Sequence, residues 1–187
     1  MAQTKRSALS AIVYDRYGSK KGLLRYLIYK TLWIFGAFRP NKSIDVSQVK
    51  RLVFVCSGNI CRSPLAEAYA RHHGANAVSC GLHCTDHHPA DPRAEAYARA
   101  AGLDLSKHQT QHIRNFEFQS GDLIIGMEPK HLRELNRITL NGADTVLAGA
   151  FCKSPKPYLH DPFNCSAEYF RLCEERVLDS VRGLLGK

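Results

Sequence analysis

Acidic residues are scarce in the first fifty positions. Residues 1–50 hold ten Lys/Arg and only two Asp, whereas residues 51–187 hold sixteen Lys/Arg and fifteen Asp/Glu. The net charge of +9 therefore belongs mainly to an N-terminal extension, and the remainder is close to neutral. With no nucleic-acid-binding signature anywhere, this distribution argues against a nucleic-acid partner. Residues 1–20 lack the sustained apolar core of a secretory signal. Seven cysteines, an odd number, argue against a disulfide scaffold and for a reducing, cytoplasmic setting. No internal repeat or low-complexity tract appears. No apolar run is long and clean enough to span a bilayer: residues 22–38 form the strongest one, and Arg25 and Lys30 interrupt it.

The most informative stretch is Val53 to Pro64, Val-Phe-Val-Cys-Ser-Gly-Asn-Ile-Cys-Arg-Ser-Pro. Arg51 to Val55 is β-branched and aromatic with no breaker, which predicts a buried strand. Ser63 reads as a helix N-cap, Pro64 as the first helical position and Glu67 as a first-turn acid. The loop between must then wrap over a helix N-terminus, where free N–H groups and the helix dipole favour an anion. Gly58 and Asn59 tolerate the backbone angles that turn N–H groups inward. Arg62 can grip two oxygens of a phosphate dianion at once. The same field favours a thiolate at Cys56. A free thiol is only about 3% ionised at pH 7, so full ionisation gains about 30-fold. Phosphate monoester hydrolysis needs accelerations of up to ~10²¹. Charge stabilisation by Arg62 and the loop N–H groups, and protonation of the leaving oxygen, must supply most of that.

The spacing predicts helices over about 63–73, 94–101, 129–137 and 167–185. Strands are predicted at Arg51–Val55, Ala77–Cys80, Asp122–Met127 and Thr145–Leu147. Strands alternating with helices imply an α/β fold with a parallel, doubly wound sheet. Ligands of such sheets sit at the carboxyl ends of the strands, where the Cys56 loop falls. A loose cluster of Cys80, His83, Cys84 and His87 lacks regular metal-ligand spacing, so no metal is expected.

The extension, residues 1–48, carries the apolar and aromatic run 22–38 between Lys20, Lys21, Arg39 and Lys42. Such a run suits a helix packed on the following domain or on a second copy. It also suits a membrane interface, through residues 20–42. Arg25 and Lys30 do not share one helical face, which favours the packed reading.

Residues 49–187 resemble the low-molecular-weight protein tyrosine phosphatase family. The resemblance rests on the Cys56–Pro64 loop, Ser79 and Gly81, Asp91-Pro92-Arg93-Ala94, the strand ending in Met127-Glu128, and His160-Asp161-Pro162-Phe163. The late loop and the Met-Glu strand end look more like bacterial members tied to polysaccharide export. The resemblance implies a four-stranded sheet with helices on both faces and catalysis without a cofactor. By it, Cys56 attacks phosphorus and forms a phosphocysteine, while Asp161 serves as general acid and then general base. Ser57, Gly58, Asn59, Ile60 and Cys61, closed by Arg62 and Ser63, bind the phosphoryl group. Ser63 stabilises the thiolate, Asn59 holds the loop, and His108 supports Asn59. Cys61 suits two roles that can coexist: a disulfide with Cys56 under oxidants, shielding the nucleophile, or a small residue packed under the loop. The implied partner is a phosphotyrosine protein, such as an autophosphorylated bacterial tyrosine kinase. Two departures stand out. Phe163 and Asn164 replace the adjacent tyrosines of many relatives, and a histidine-rich loop replaces their apolar substrate wall. His83, Phe163, Tyr158 and the extension remain candidates for that wall. Two rival activities share the loop. A thioredoxin-linked arsenate reductase would need two further cysteines beyond the third strand, where Gly126 to Asn136 has none. A non-catalytic phosphate-binding module would not need Cys56, Arg62, Ser63 and Asp161 together.

Overall fold

The computed structural model describes residues 8–40, 48–138, 140 and 142–187. Its sheet has four parallel strands in the order β2-β1-β3-β4, comprising β1 (Arg51–Cys56), β2 (Ala77–Gly81), β3 (Asp122–Gly126) and β4 (Asp144–Leu147). Successive β1 side chains enter opposite layers, as strand geometry requires. Leu52, Phe54 and Cys56 join the layer that also holds Leu65, Ala94, Ala98, Phe170, Val177 and Val181. Val53 and Val55 join the layer of Leu82, Ile113, Phe118 and Leu135. Helices α3 (Arg62–His72), α4 (Pro92–Ala100) and α6 (Ala167–Leu184) thus cover one face, and α5 (Pro129–Leu135) covers the other. This is the doubly wound α/β fold anticipated above. Because β2 and β3 flank β1 on opposite sides, chain direction diverges at the end of β1, where Cys56 stands.

Element boundaries depart from the sequence reading in instructive places. Helix α3 begins at Arg62, with Cys61 at the cap position and no side-chain cap. Ser63 is not the N-cap, because its hydroxyl turns into the loop toward Cys56. Glu67 is not a first-turn acid either; it reaches Ser79 and Arg71. Helix α4 starts two residues earlier than expected, because the Asp91 carboxylate accepts the Arg93 N–H at 2.9 Å.

The extension forms two helices, α1 (Ala8–Tyr17) and α2 (Lys20–Ile34). The first was not foreseen. Ser19 caps α2 by accepting the Gly22 N–H at 2.8 Å. Gly18 makes the corner at φ +78°, and a Cβ there would lie 2.6 Å from the His160 ring and 2.8 Å from Cys165 Sγ. The corner therefore requires glycine for both its backbone angle and its close approach. One face of α2 rests on the domain: the Tyr29 and Tyr158 rings are 5.4 Å apart, and Lys30 donates to the Pro155 carbonyl. Lys42, named above as a flank of this run, lies outside the described residues.

Candidate active site

The Cys56–Arg62 loop is shaped by where its carbonyls go. Leu82 N–H donates to Cys56 O at 3.0 Å, and His83 N–H donates to Ser57 O at 2.8 Å. His108 Nε2 donates to Asn59 O at 2.7 Å, and Asp91 N–H donates to Ile60 O at 2.8 Å. In a trans peptide the carbonyl and the next N–H point opposite ways. Four carbonyls drawn outward therefore turn the N–H groups of Ser57, Gly58, Ile60 and Cys61 the other way, into the loop. Asn59 sits at φ +52°, a left-handed conformation that asparagine tolerates better than most residues. Gly81, beside Cys56 in the β1–β2 register, lets the loop approach. A Cβ at Gly81 would meet Cys84 Sγ at 2.6 Å and Ser57 O at 3.1 Å.

A buried hydrogen-bond chain ends on the Cys56 sulfur. Ser79 donates to Glu67 Oε2 at 2.7 Å and so accepts from Asn59 Nδ2 at 2.8 Å. The second Nδ2 hydrogen goes to Ser63 Oγ at 2.9 Å. That leaves the Ser63 hydroxyl hydrogen free to point at Cys56 Sγ, 3.0 Å away. Asn59 N–H also donates to Cys56 Sγ at 3.2 Å. Asn59 Oδ1 accepts the Gln111 N–H at 2.9 Å, so every polar atom of this fully buried side chain is used. The sequence reading gives Ser79, Glu67 and Gln111 no part in this hydrogen-bond chain. His108 reaches Asn59 at its backbone carbonyl.

Arg62 is buried, and its guanidinium joins three segments. Nη1 donates to Glu128 Oε1 and to Leu159 O, each at 2.9 Å, and Nη2 lies 2.9 Å from Asp161 Oδ2. Burial works against its charge, but Asp161 and Glu128 outweigh that and hold Arg62 cationic. Burial also pushes the Asp161 carboxyl up, yet Arg62, the Phe163 N–H and Lys130 hold it below the usual carboxylate value. Glu128 gives the Met-Glu strand end its use as the anchor of Arg62. Behind it, His131 is fully buried with Nε2 3.2 Å from Ser57 Oγ. Burial, Arg62 and Lys130 push its pKa well down, so the ring is neutral.

A cavity of about 780 Å³ opens over this loop. Of the wall candidates, His83 and Phe163 line it. Tyr158 is buried behind it, donating to or accepting from His160 Nδ1 at 2.8 Å. The extension lines the other side with Tyr14, Gly18, Ser19 and Lys21. Ser19 Oγ stands 3.2 Å from His160 Nε2, so the α1–α2 corner grips the residue before Asp161. Burial lowers the His160 pKa, which keeps this ring neutral between its two hydroxyl partners.

All seven cysteines are free thiols. Cys61 and Cys165 line the same cavity as Cys56, and burial raises the pKa of both. The four residues of the loose metal-type cluster do not converge: Cys80 is buried in the sheet, His83 pairs with Glu134, and His87 pairs with Gln109. Among the described residues no group of three or more His, Cys, Asp or Glu is placed to hold a metal ion.

The arrangement combines a thiol under two N–H or O–H donors, inward N–H groups at a helix start, a fixed guanidinium and a carboxyl. This set suits nucleophilic attack on a tetrahedral anion. Comparison with known proteins agrees in kind. The family model described as low molecular weight phosphotyrosine protein phosphatase matches residues 51–187. Residues of this chain are 36% identical over 89 positions to the probable low molecular weight protein-tyrosine-phosphatase EpsP of Ralstonia solanacearum. That stretch covers 46% of this chain and 61% of EpsP, so the chain spans about three fifths of that relative. The low molecular weight protein-tyrosine-phosphatase Etp of Escherichia coli is 31% identical over 122 residues, covering 64% of this chain and 81% of Etp. Among solved structures, the tyrosine phosphatase amsI of Erwinia amylovora matches with a TM-score of 0.64 at 28% identity, over 74% of this chain and 92% of that one.

Proposed function

This chain belongs to the low molecular weight phosphotyrosine protein phosphatase family, and on that ground we propose that it hydrolyses phosphotyrosine in proteins through a phosphocysteine on Cys56. The observation that carries the proposal is the placement of Arg62, which reaches from the loop to Asp161 at 2.9 Å and so brings anion site and proton donor together. In the first step the Cys56 thiolate attacks phosphorus and the phosphorus–oxygen ester bond breaks. Asp161 gives its proton to the departing tyrosine oxygen. In the second step Asp161 takes a proton from water, whose oxygen attacks phosphorus. The sulfur–phosphorus bond breaks and inorganic phosphate leaves. Arg62 and the inward N–H groups hold the equatorial oxygens through both steps. The Ser63 hydroxyl stabilises the sulfur anion each time it forms. Cys61 serves as the disulfide partner that shields Cys56 from irreversible oxidation.

In this reading residues 49–187 are the phosphatase domain, and residues 1–48 are an extension whose corner completes the substrate wall. The wall then consists of His83, Phe163 and Tyr14. Likeness to bacterial members tied to polysaccharide export supports an autophosphorylated bacterial tyrosine kinase as substrate, met in the cytoplasm. The experiment is hydrolysis of an aryl phosphate by wild type, Cys56→Ser and Asp161→Ala. Wild-type turnover that vanishes with Cys56 supports the reading, and turnover that survives its loss overturns it.

Arsenate reduction is a second reading, favoured by one observation: Cys61 and Cys165 share the cavity with Cys56. Arsenate-dependent oxidation of these thiols, without aryl phosphate turnover, would select it.

A further inference from the structure

Nine large apolar side chains are exposed among the described residues, and seven of them belong to the extension: Ile12, Leu24, Leu27, Ile28, Leu32, Ile34 and Phe35. The catalytic part of the chain contributes only Ile138 and Phe163. Leu24, Leu27, Ile28, Leu32 and Phe35 recur at helical spacing along α2 and its C-cap, so they form one stripe. The opposite side of α2 is already occupied, with Tyr29 against Tyr158 and Arg133 donating to the Tyr29 hydroxyl. The stripe is therefore an unpartnered face on a helix held firmly by its other side, and a soluble monomer rarely carries one.

Charge decides what fits it. Lys20 and Lys21 stand at one end of α2 and Arg39 just beyond the other, where Arg39 donates to the Trp33 and Ile34 carbonyls. Asp15 is the single acid among residues 8–40, and it is engaged by the Ser166 hydroxyl. Over residues 1–50 the imbalance is ten cations against two acids. Two copies packed stripe to stripe would bring like charges together. An anionic lipid surface would neutralise them while taking up the apolar side chains, with the long Lys and Arg stems reaching the headgroups. Spanning is not an alternative, because no helix among the described residues is long and apolar enough to cross a membrane.

We propose that the outer face of α2 docks the protein on an anionic membrane surface, with α2 lying in the interface plane. Lys21 also lines the active-site cavity, so the docked face adjoins the cavity mouth, and substrates presented at the same surface have the shortest path to Cys56. None of the stripe's apolar residues lines the active-site cavity, so docking and catalysis use separate side chains.

The test is co-sedimentation of the full chain with vesicles of phosphatidylcholine alone and of phosphatidylcholine mixed with phosphatidylserine. The mixed vesicles should bind at least about ten-fold more protein, and raised salt should weaken that binding. Ile28→Asp and, separately, Leu27→Ser should each reduce it several-fold while aryl phosphate hydrolysis and the circular dichroism spectrum stay as in wild type. Equal recovery with both vesicle types, or binding indifferent to both substitutions, would overturn the proposal. So would concentration-dependent dimers that the same substitutions dissolve, which would assign the stripe to a second copy.

Discussion

Arg62 Nη2 and Asp161 Oδ2 lie 2.9 Å apart, so the residue proposed to grip phosphate also holds the proposed acid in its anionic form. Burial alone would raise the Asp161 pKa, but Arg62 and its other partners keep it below the ordinary value. A dianion on Arg62 would offset that attraction and favour the protonated carboxyl needed for leaving-group protonation. Binding of an oxyanion such as vanadate near pH 6 should therefore take up a proton. Calorimetry in buffers of different ionisation enthalpy measures this, and Asp161→Asn should take up close to one proton fewer. The same pair has a stability consequence. A carboxyl with a depressed folded-state pKa stabilises the fold above its unfolded pKa of ~3.9 and loses that contribution as pH falls through the folded value. The difference in melting temperature between wild type and Asp161→Asn should be constant above about pH 5 and shrink below pH ~4.

The chain Glu67–Ser79–Asn59–Ser63 leaves one hydroxyl hydrogen for Cys56. Ser63→Ala deletes that donor, and loss of a single well-placed donor to a reacting anion costs about 10²-fold in rate. The loss should fall mainly on breakdown of the phosphocysteine, where sulfur departs as an anion. Rapid-quench kinetics should show a near-normal burst of phenol followed by a slow steady state. Ser79→Ala acts two hydrogen bonds further along that chain and should cost about ten-fold or less.

Ser19 joins two jobs, capping α2 and bonding His160. Ser19→Ala should cost about 1 kcal/mol of stability through the lost cap. It should also lower kcat several-fold by freeing the loop that carries Asp161. Ser19→Thr, which retains a hydroxyl, should restore most of both. Denaturant titration and steady-state kinetics read the two effects separately.

Glu174 is fully buried with neither carboxyl oxygen partnered. Burial lifts its pKa to about 8 even with Arg62 nearby. The folded state thus binds a proton that the unfolded state releases above ~4.3, and stability should fall as pH rises from there to about 8. Glu174→Gln removes the ionisable group, so its advantage over wild type should grow across that window and then level off. Unfolding free energies at pH 5, 7 and 8 check the slope.

Much of the core and the proposed nucleophile was legible in sequence because each rests on local signals. A breaker-free β-branched run marks β1, and Cys56, Gly58, Asn59, Arg62 and Pro64 lie in one continuous segment. What was not legible depends on distant partners. Ser63 fits a cap by type, yet Asn59 and Cys56 draw its hydroxyl inward. Glu128 is an ordinary acid until Arg62 arrives from 66 residues away. Helix α1 has no apolar stripe to announce it, and its place depends on Asp15 meeting Ser166 and on Gly18 fitting against His160. The expected packing of the extension on the domain is made by one side of α2, while the other side stays exposed.

The proposed reaction passes through a covalent phosphocysteine on Cys56. Acid-quenched protein from turnover of a ³²P-labelled aryl phosphate should carry label that maps to the peptide containing Cys56. The label should increase in Ser63→Ala and be absent in Cys56→Ser. Turnover with no protein-bound label in either wild type or Ser63→Ala, or label on another residue, would exclude Cys56 as the nucleophile.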